Sequence, residues 1–158
     1  MIKTGDTLPS LSLKVVDNGE MGEATTDALF GQGRHVLFGL PGAFTPTCSA
    51  KHLPGYVEKA EALRAKGIGR IACMAVNDAF VMKAWAQTGN AGDILMIADG
   101  SALFTKALGL ELDLTDRAMG LRCQRFALVI ADGVVEQVFV EAAGDFSVSS
   151  AEHVLRAL

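Results

Sequence analysis

Short apolar runs alternate with longer amphipathic stretches through most of the chain. His35 to Leu40 (HVLFGL) and Arg70 to Val76 (RIACMAV) are nearly continuous apolar runs of strand length, the pattern of strands buried on both faces. Ile94 to Ala98 predicts a third strand. Between the first two, Leu53, Tyr56, Val57, Ala60 and Leu63 recur at helical spacing, with Gly67 as a stop. That helix starts near Cys48, and Pro54 inside it should kink it or delay its regular part. Asn77 or Asp78 caps a second helix running to Thr88, with Val81, Ala84, Trp85 and Thr88 on one face and Gly89 ending it. Ser101 to Leu108 predicts a third, short helix. Gln124–Ile130 and Val134–Val140 read as two strands joined by Asp132-Gly133, a strong hairpin signal. Ser149-Ser150-Ala151-Glu152 has capping-box spacing and opens a last helix.

The order is strand, helix, strand, helix, strand, helix, hairpin, helix. The alternating half implies parallel strands with helices packed on the sheet, and the hairpin adds an antiparallel edge. The predicted class is α/β: a mixed central sheet flanked by helices, for which the thioredoxin-like fold is the analogy. With 158 residues and no linker or repeat, one domain over residues 1–158 is expected.

Composition narrows the function classes. Half of the residues are hydrophobic and 20% charged, so the chain can bury a core. The formal charge is −4 and the lysines and arginines are scattered, which gives no electrostatic reason to bind nucleic acid or a membrane. The opening MIKTGDTLPS lacks the apolar stretch of a secretory signal, and no apolar run approaches the ~20 residues of a membrane span. Three cysteines, Cys48, Cys73 and Cys123, exclude a full disulfide framework and show neither C-x-x-C nor zinc-ligand spacing. These observations predict a soluble cytoplasmic protein with reduced thiols. A mean hydropathy of +0.31 favours an oligomer with a buried interface.

The chemistry concentrates at Pro41 to Cys48. Cys48 lies where a loop beyond the end of a strand meets a helix N-terminus. First-turn N–H groups without helical partners, and the aligned peptide dipoles, favour thiolate over thiol there. Full ionisation of an ordinary thiol raises its reactive fraction at pH 7 only about thirtyfold. Rapid thiol chemistry therefore also needs transition-state stabilisation. Three residues before Cys48, where a dithiol oxidoreductase needs a second cysteine, stands Thr45. Its hydroxyl both donates and accepts hydrogen bonds, which suits holding a peroxide. Pro41 and Pro46 stiffen the loop, and Pro41 could shield the sulfur from water.

Pro41-Gly42-Ala43-Phe44-Thr45-Pro46-Thr47-Cys48-Ser49, followed by His52-Leu53-Pro54-Gly55, closely resembles the signature of the five-type peroxiredoxins. These form an atypical group of the AhpC/TSA-redoxin superfamily that includes glutaredoxin- and glutathione-linked members. Val76–Val81 and Arg125–Val129 also resemble that group, and the similarity extends from about residue 3 to the C-terminus. The resemblance implies that Cys48 is the peroxidatic cysteine, Thr45 the hydroxyl orienting peroxide, and Pro41 the proline at the mouth. It implies that Arg125 is the guanidinium stabilising thiolate and developing charge. It further implies a homodimer with no metal or organic cofactor. The implied activity is reduction of hydrogen peroxide and alkyl hydroperoxides, through a Cys48 sulfenic acid.

Some members of the group carry a resolving cysteine just before the last helix. Ser149 occupies that place here. The expected resolvent is then an external thiol: glutathione with glutaredoxin, or thioredoxin. Cys73, in an apolar strand, reads as a small buried hydrophobe. Cys123 precedes Arg125 by two residues, so on a regular strand both face one way, which leaves a minor reading of Cys123 as resolving thiol. Arg122 is a weaker catalytic candidate that could face solvent. His52, four residues after Cys48, could act as a base, but reads better as a structural hydrogen-bonding group. His35 and His153 look structural or superficial, Trp85 looks like core, and Phe44 and Phe126 could line the pocket or a dimer interface. Two rival functions remain: a single-cysteine thiol–disulfide oxidoreductase, and a peroxide-sensing relay or holdase-like binding protein.

Overall fold

A computed structural model describes residues 1–158. Its strands are β1 (Ser12–Asp17), β2 (Glu20–Thr25), β3 (Arg34–Gly39), β4 (Ile68–Ala75), β5 (Leu95–Ala98), β6 (Glu111–Leu114), β7 (Gly120–Cys123), β8 (Phe126–Ala131) and β9 (Val134–Val140). Its helices are α1 (Thr26–Phe30), α2 (Leu53–Ala65), α3 (Ala79–Thr88), α4 (Leu103–Leu108) and α5 (Ala151–Ala157). Seven strands form one sheet in the order β2-β1-β5-β4-β3-β8-β9. β3, β4 and β5 run parallel, and the remaining pairs are antiparallel. Strands β6 and β7 make a separate two-stranded ribbon. This is the expected thioredoxin-like mixed sheet flanked by helices.

Side-chain alternation along the central strands builds two cores. Val36, Phe38, Ile71 and Cys73 face α2, α3 and α5, where they meet Leu53, Tyr56, Leu63, Met82, Trp85 and Val154. Leu37, Ala72, Met74 and Phe126 face the other way, toward Leu29, Phe30, Phe104 and Leu108 of α1 and α4. From Ile71 to Ala75, β4 is buried throughout, which explains its unbroken apolar run.

Several local expectations are corrected. Hydrophobic patterning passes over the β1–β2 hairpin because β2 (EMGEAT) is an almost wholly exposed edge strand without apolar alternation. Its real signal is the turn Asn18-Gly19, both residues at positive φ (48° and 84°). The β6–β7 ribbon is half-exposed and equally unmarked. On α3 the buried side chains are Met82 and Trp85, whereas Ala84 and Thr88 face solvent. Asp78, rather than Asn77, caps that helix by accepting from the Val81 N–H at 2.9 Å. The cap of α5 is Ser150, which accepts from His153 N–H at 3.1 Å. Ser149 is instead fully buried. Pro54 does delay the regular helix. Residues Cys48–His52 form a wide π-type turn in which Leu53 N–H reaches the Cys48 carbonyl, and α2 becomes regular only from Leu53. Proline has no N–H to continue a tighter ladder there.

Candidate active site

The loop that follows β3 is braced from three directions. Gly39 packs so closely on the Phe126 ring that no Cβ fits between them. The Ala43 N–H donates to Asn77 Oδ1 at 2.9 Å, tying the loop to the start of α3. Arg122 donates from Nε to the Met119 carbonyl (2.9 Å) and from Nη1 to the Pro41 carbonyl (3.3 Å). A Cβ on Gly42 would lie 2.7 Å from that Nη1, so glycine is what lets the guanidinium in. Phe44 takes φ +65°, a costly backbone state for an aromatic residue. Within the loop, Thr45 Oγ1 donates to the Gly42 carbonyl at 2.7 Å. That fixes the hydroxyl's proton and leaves its lone pairs as acceptors. The Thr45 carbonyl receives Ser49 N–H at 2.9 Å, and Ser49 Oγ receives Trp85 Nε1–H at 3.0 Å. Trp85 is core, as expected, and also ties α3 to the first turn beyond Cys48.

Cys48 is fully buried at that turn. Arg125 reaches it from the short link between β7 and β8. Nη2 donates to Cys48 Sγ at 3.2 Å and Nη1 to His52 Nδ1 at 2.9 Å. His52 Nδ1 must therefore be the acceptor nitrogen, and Nε2–H donates to the Ser149 carbonyl at 3.1 Å. Burial, then the neighbouring Arg125 charge, lower the His52 pKa to about 3. The ring is neutral at working pH and positions the guanidinium rather than acting as a base. It packs against Phe38 (ring centroids 5.0 Å apart) and Phe146 (5.1 Å), and Arg125 Cζ lies 5.9 Å from the Phe146 ring centre.

The network extends into a strap, residues 141–149. The Ser149 carbonyl also accepts from Tyr56 OH at 2.8 Å. Glu141 Oε2 accepts from Ser149 Oγ (2.6 Å), Ser149 N–H (2.9 Å) and Ser147 N–H (2.7 Å). Burial raises the pKa of this carboxyl, but the hydrogen bonds outweigh burial and hold it below the usual value. Glu141 N–H in turn donates to the Arg125 carbonyl at 3.0 Å.

A family-level comparison now bears on this constellation. The sequence model described as Redoxin matches residues 3–155. The chain is 50% identical over 163 residues to chloroplastic peroxiredoxin-2E-2 of Oryza sativa subsp. japonica, covering 99% of this chain and 72% of that one. It is 47% identical to peroxiredoxin-2B of Arabidopsis thaliana, covering 99% and 98%. The crystal structure of reduced Prx3 from Vibrio vulnificus in complex with hydrogen peroxide superposes with a TM-score of 0.95 at 52% identity, over 99% of each chain. The chain belongs to the peroxiredoxins, within the Redoxin family. Its activity is that of a thiol-dependent peroxidase.

In this peroxiredoxin, Cys48, Thr45, Pro41 and Arg125 come together around one cleft of about 440 Å³, lined also by Leu112, Leu114, Arg117, Met119 and the start of the strap. Thr45, Pro41 and Arg125 line its wall, with Cys48 behind the guanidinium. No group of three His, Cys, Asp or Glu side chains is placed to hold a metal ion, and no helix is long and apolar enough to cross a membrane.

The cysteine geometry corrects one expectation. β7 ends at Cys123 and β8 begins at Phe126, so Gln124 and Arg125 are not on one regular strand with Cys123. Cys123 points into the core that holds Phe104 and Phe126, and Cys48 into the core on the opposite face of the sheet. Burial pushes the Cys123 thiol up to about 12, against a hydrogen bond with Thr105. Neither its location nor its ionisation suits a resolving thiol. Cys73 is fully buried, and burial, then the nearby Cys48, raise its pKa well above the ordinary value. Phe126 is core, lining neither pocket nor surface, whereas Phe44 is 53% exposed. Arg122 is the loop brace rather than a solvent-facing charge. Nothing in sequence spacing joins Phe146 and Ser149 to the site, because their contacts to His52 and Tyr56 bridge some 90 positions, and Glu141 joins it by holding Ser149.

Proposed function

We propose that this peroxiredoxin is of the five type and reduces hydrogen peroxide and small alkyl hydroperoxides with electrons from an external thiol. The observation that carries the reading is the Arg125 fork, 3.2 Å from Cys48 Sγ and 2.9 Å from a neutral His52. A planar guanidinium cannot lose its proton and holds two directions at once. It stabilises the thiolate in the ground state and the leaving oxygen as charge grows on it. Thr45, with its proton committed to Gly42, presents lone pairs to the peroxide O–H.

The Cys48 thiolate attacks one peroxide oxygen and the O–O bond breaks. The other oxygen leaves as hydroxide or alkoxide and takes up a proton, giving Cys48 sulfenic acid and water or alcohol. A glutathione thiolate then attacks the sulfenic sulfur, hydroxide leaves and is protonated to water, and a mixed disulfide forms. Glutaredoxin or a second glutathione returns Cys48 to the thiol; thioredoxin is the alternative donor. Two buried remaining cysteines and a serine at position 149 support external resolution. The protein works in the cytoplasm without a metal or organic cofactor. It pairs as a homodimer through exposed Phe44 and Phe80 (73% exposed), on segments joined by the Ala43–Asn77 hydrogen bond.

The test is peroxide consumption with glutathione plus glutaredoxin, against thioredoxin plus its reductase, for wild type, Cys48→Ser and Cys123→Ser. Turnover lost only in Cys48→Ser is the expected result. Loss in Cys123→Ser together with a Cys48–Cys123 disulfide would overturn external resolution. One rapid oxidation without turnover on any donor would favour the relay instead.

A further inference from the structure

Two arginines hold the loop and its cysteine, and only Arg125 touches the sulfur. Arg122 sits on β7, opposite Leu112 of β6. It is partly buried, lies outside the lining of the cleft and belongs to none of the four ion pairs of the chain. Both of its hydrogen bonds go to backbone carbonyls, Met119 from Nε at 2.9 Å and Pro41 from Nη1 at 3.3 Å. Arg122 therefore holds the peptide plane that precedes Gly42. The next plane carries the Gly42 carbonyl, which accepts Thr45 Oγ1–H at 2.7 Å and so decides where the Thr45 proton points. That second plane is held at its other end, where Ala43 N–H donates to Asn77 Oδ1 at 2.9 Å. Only the two torsions of Gly42 stand between the planes, and glycine has the weakest preference of its own. With Arg122 on one plane and Asn77 on the other, both torsions are set. A Cβ at Gly42 would lie 2.7 Å from Arg122 Nη1 and 3.3 Å from Thr45 Cγ2, so the guanidinium, the glycine and the threonine pack within one contact of each other.

We infer that Arg122 is a positioning residue for peroxide reduction: by fixing the Pro41–Gly42 peptide it keeps the Thr45 hydroxyl proton on the Gly42 carbonyl and the oxygen lone pairs turned toward the peroxide O–H. This rests on the reading above that Thr45 accepts that O–H. The two arginines divide the task. Arg125 acts on the sulfur and the leaving oxygen. Arg122 acts on the incoming peroxide through Thr45, from behind the loop. When the Gly42 carbonyl turns away, the Thr45 proton is released to point into the cleft, where it meets the peroxide O–H as a second donor instead of leaving an acceptor for it.

Stopped-flow oxidation of Cys48 by hydrogen peroxide, read beside alkylation of the same thiol by iodoacetamide, separates this role from a merely structural one. Iodoacetamide has no O–H for Thr45 to accept, so its rate follows the thiolate alone. Arg122→Ala should lower the second-order rate with peroxide about ten- to a hundredfold, the scale of roughly an ångström's misplacement of a catalytic group, and leave alkylation within about twofold of wild type. Gly42→Ala retains Arg122 but sets a Cβ against its Nη1. It should show the same selective loss, which keeps the test independent of whether Arg122→Ala folds. In a Thr45→Val background, adding Arg122→Ala should slow peroxide oxidation by less than about twofold more, because the group it positions is already gone. Equal slowing of both reactions overturns the inference, since Arg122 then supports the thiolate or the fold. A fully additive loss in the double variant overturns it too, because Arg122 then acts by a route other than Thr45. Wild-type peroxide rates in both Arg122→Ala and Gly42→Ala do the same. If Thr45→Val alone keeps the wild-type peroxide rate, the reading of Thr45 as the peroxide acceptor fails and takes this inference with it, a result distinct from the others because it shows in that single variant.

Discussion

His52 makes the stability of this protein depend on pH above the range where carboxylates titrate. Its folded pKa is about 3 and its unfolded value about 6.5. The unfolded chain therefore binds a proton that the folded chain refuses between those values. Stability is full above pH 6.5 and falls as pH drops toward 3. Between pH 7 and 4.5 the loss comes to about 2.6 kcal/mol, an average of about 1 kcal/mol per pH unit against about 1.4 for one full proton. A folded pKa one unit higher changes that figure by only about 0.1 kcal/mol. Glu141 joins in lower down. Its folded pKa lies below 4.5, so its contribution is present above 4.5 and is lost as pH falls through the folded value. Urea unfolding at pH 7, 5.5 and 4.5 reads the His52 window, with His52→Gln as the control. A glutamine oxygen can accept from Arg125 and its amide can donate to the Ser149 carbonyl, but it does not titrate. The variant should lose most of the pH slope while keeping peroxidase activity within a fewfold. His52→Leu removes both hydrogen bonds and should slow Cys48 oxidation about ten- to a hundredfold, the scale of roughly an ångström's misplacement of a catalytic group. A pH slope in His52→Gln equal to that of wild type would refute the assignment of the titration to this ring.

Two further outcomes follow from the same contacts. Arg125→Lys keeps the charge but cannot span Cys48 Sγ and His52 Nδ1 together, so the second-order rate with hydrogen peroxide should fall about 10²–10³-fold, the scale of a lost oxyanion donor, with far-UV circular dichroism unchanged. Gly39→Ala forces a Cβ into the buried Phe126 ring and should cost about 1–3 kcal/mol or more in urea unfolding; stability equal to wild type would show that the β3–β8 contact can relax.

The parts legible in the sequence were those with short range. β3, β4 and β5 announce themselves as apolar runs, Asp132-Gly133 adopts the positive φ pair (49° and 79°) its composition suggests, and the Thr45–Cys48 spacing marks the nucleophile. Element ends shift by one or two residues, as at the cap of α5, where Ser149 and Ser150 offer the same chemistry and only burial chooses between them. The support of the site was not legible. Asn77 reads as a helix cap because Asn and Asp compete for that role, yet its oxygen is spent 34 positions upstream on Ala43. The interruption of strand geometry between Cys123 and Phe126 sends Cys123 and Arg125 to different surroundings, and no local pattern encodes it.

The burial of Cys48 constrains how the two half-reactions share one site. Peroxide is small enough to approach past Thr45 and Arg125 while the first turn stays in place. A peptide thiol is not, because it must bring its own sulfur within bonding distance of a fully buried Sγ. The first turn has an irregular backbone ladder. Around Cys48 it is closed by Ser49 N–H to the Thr45 carbonyl and by the wide Leu53 to Cys48 bond, and Pro54 can add no donor of its own. Local opening of such a segment costs far less than unfolding the sheet behind it. The strap, in contrast, is fastened by the three hydrogen bonds on Glu141 and two on the Ser149 carbonyl. The strap thus carries Phe146 and holds His52 at one end of the turn, while Cys48 carries the sulfur at the other. His52 belongs to the same turn as Cys48, so the Arg125 fork clamps both ends of that turn at once, Nη2 on Cys48 Sγ and Nη1 on His52 Nδ1.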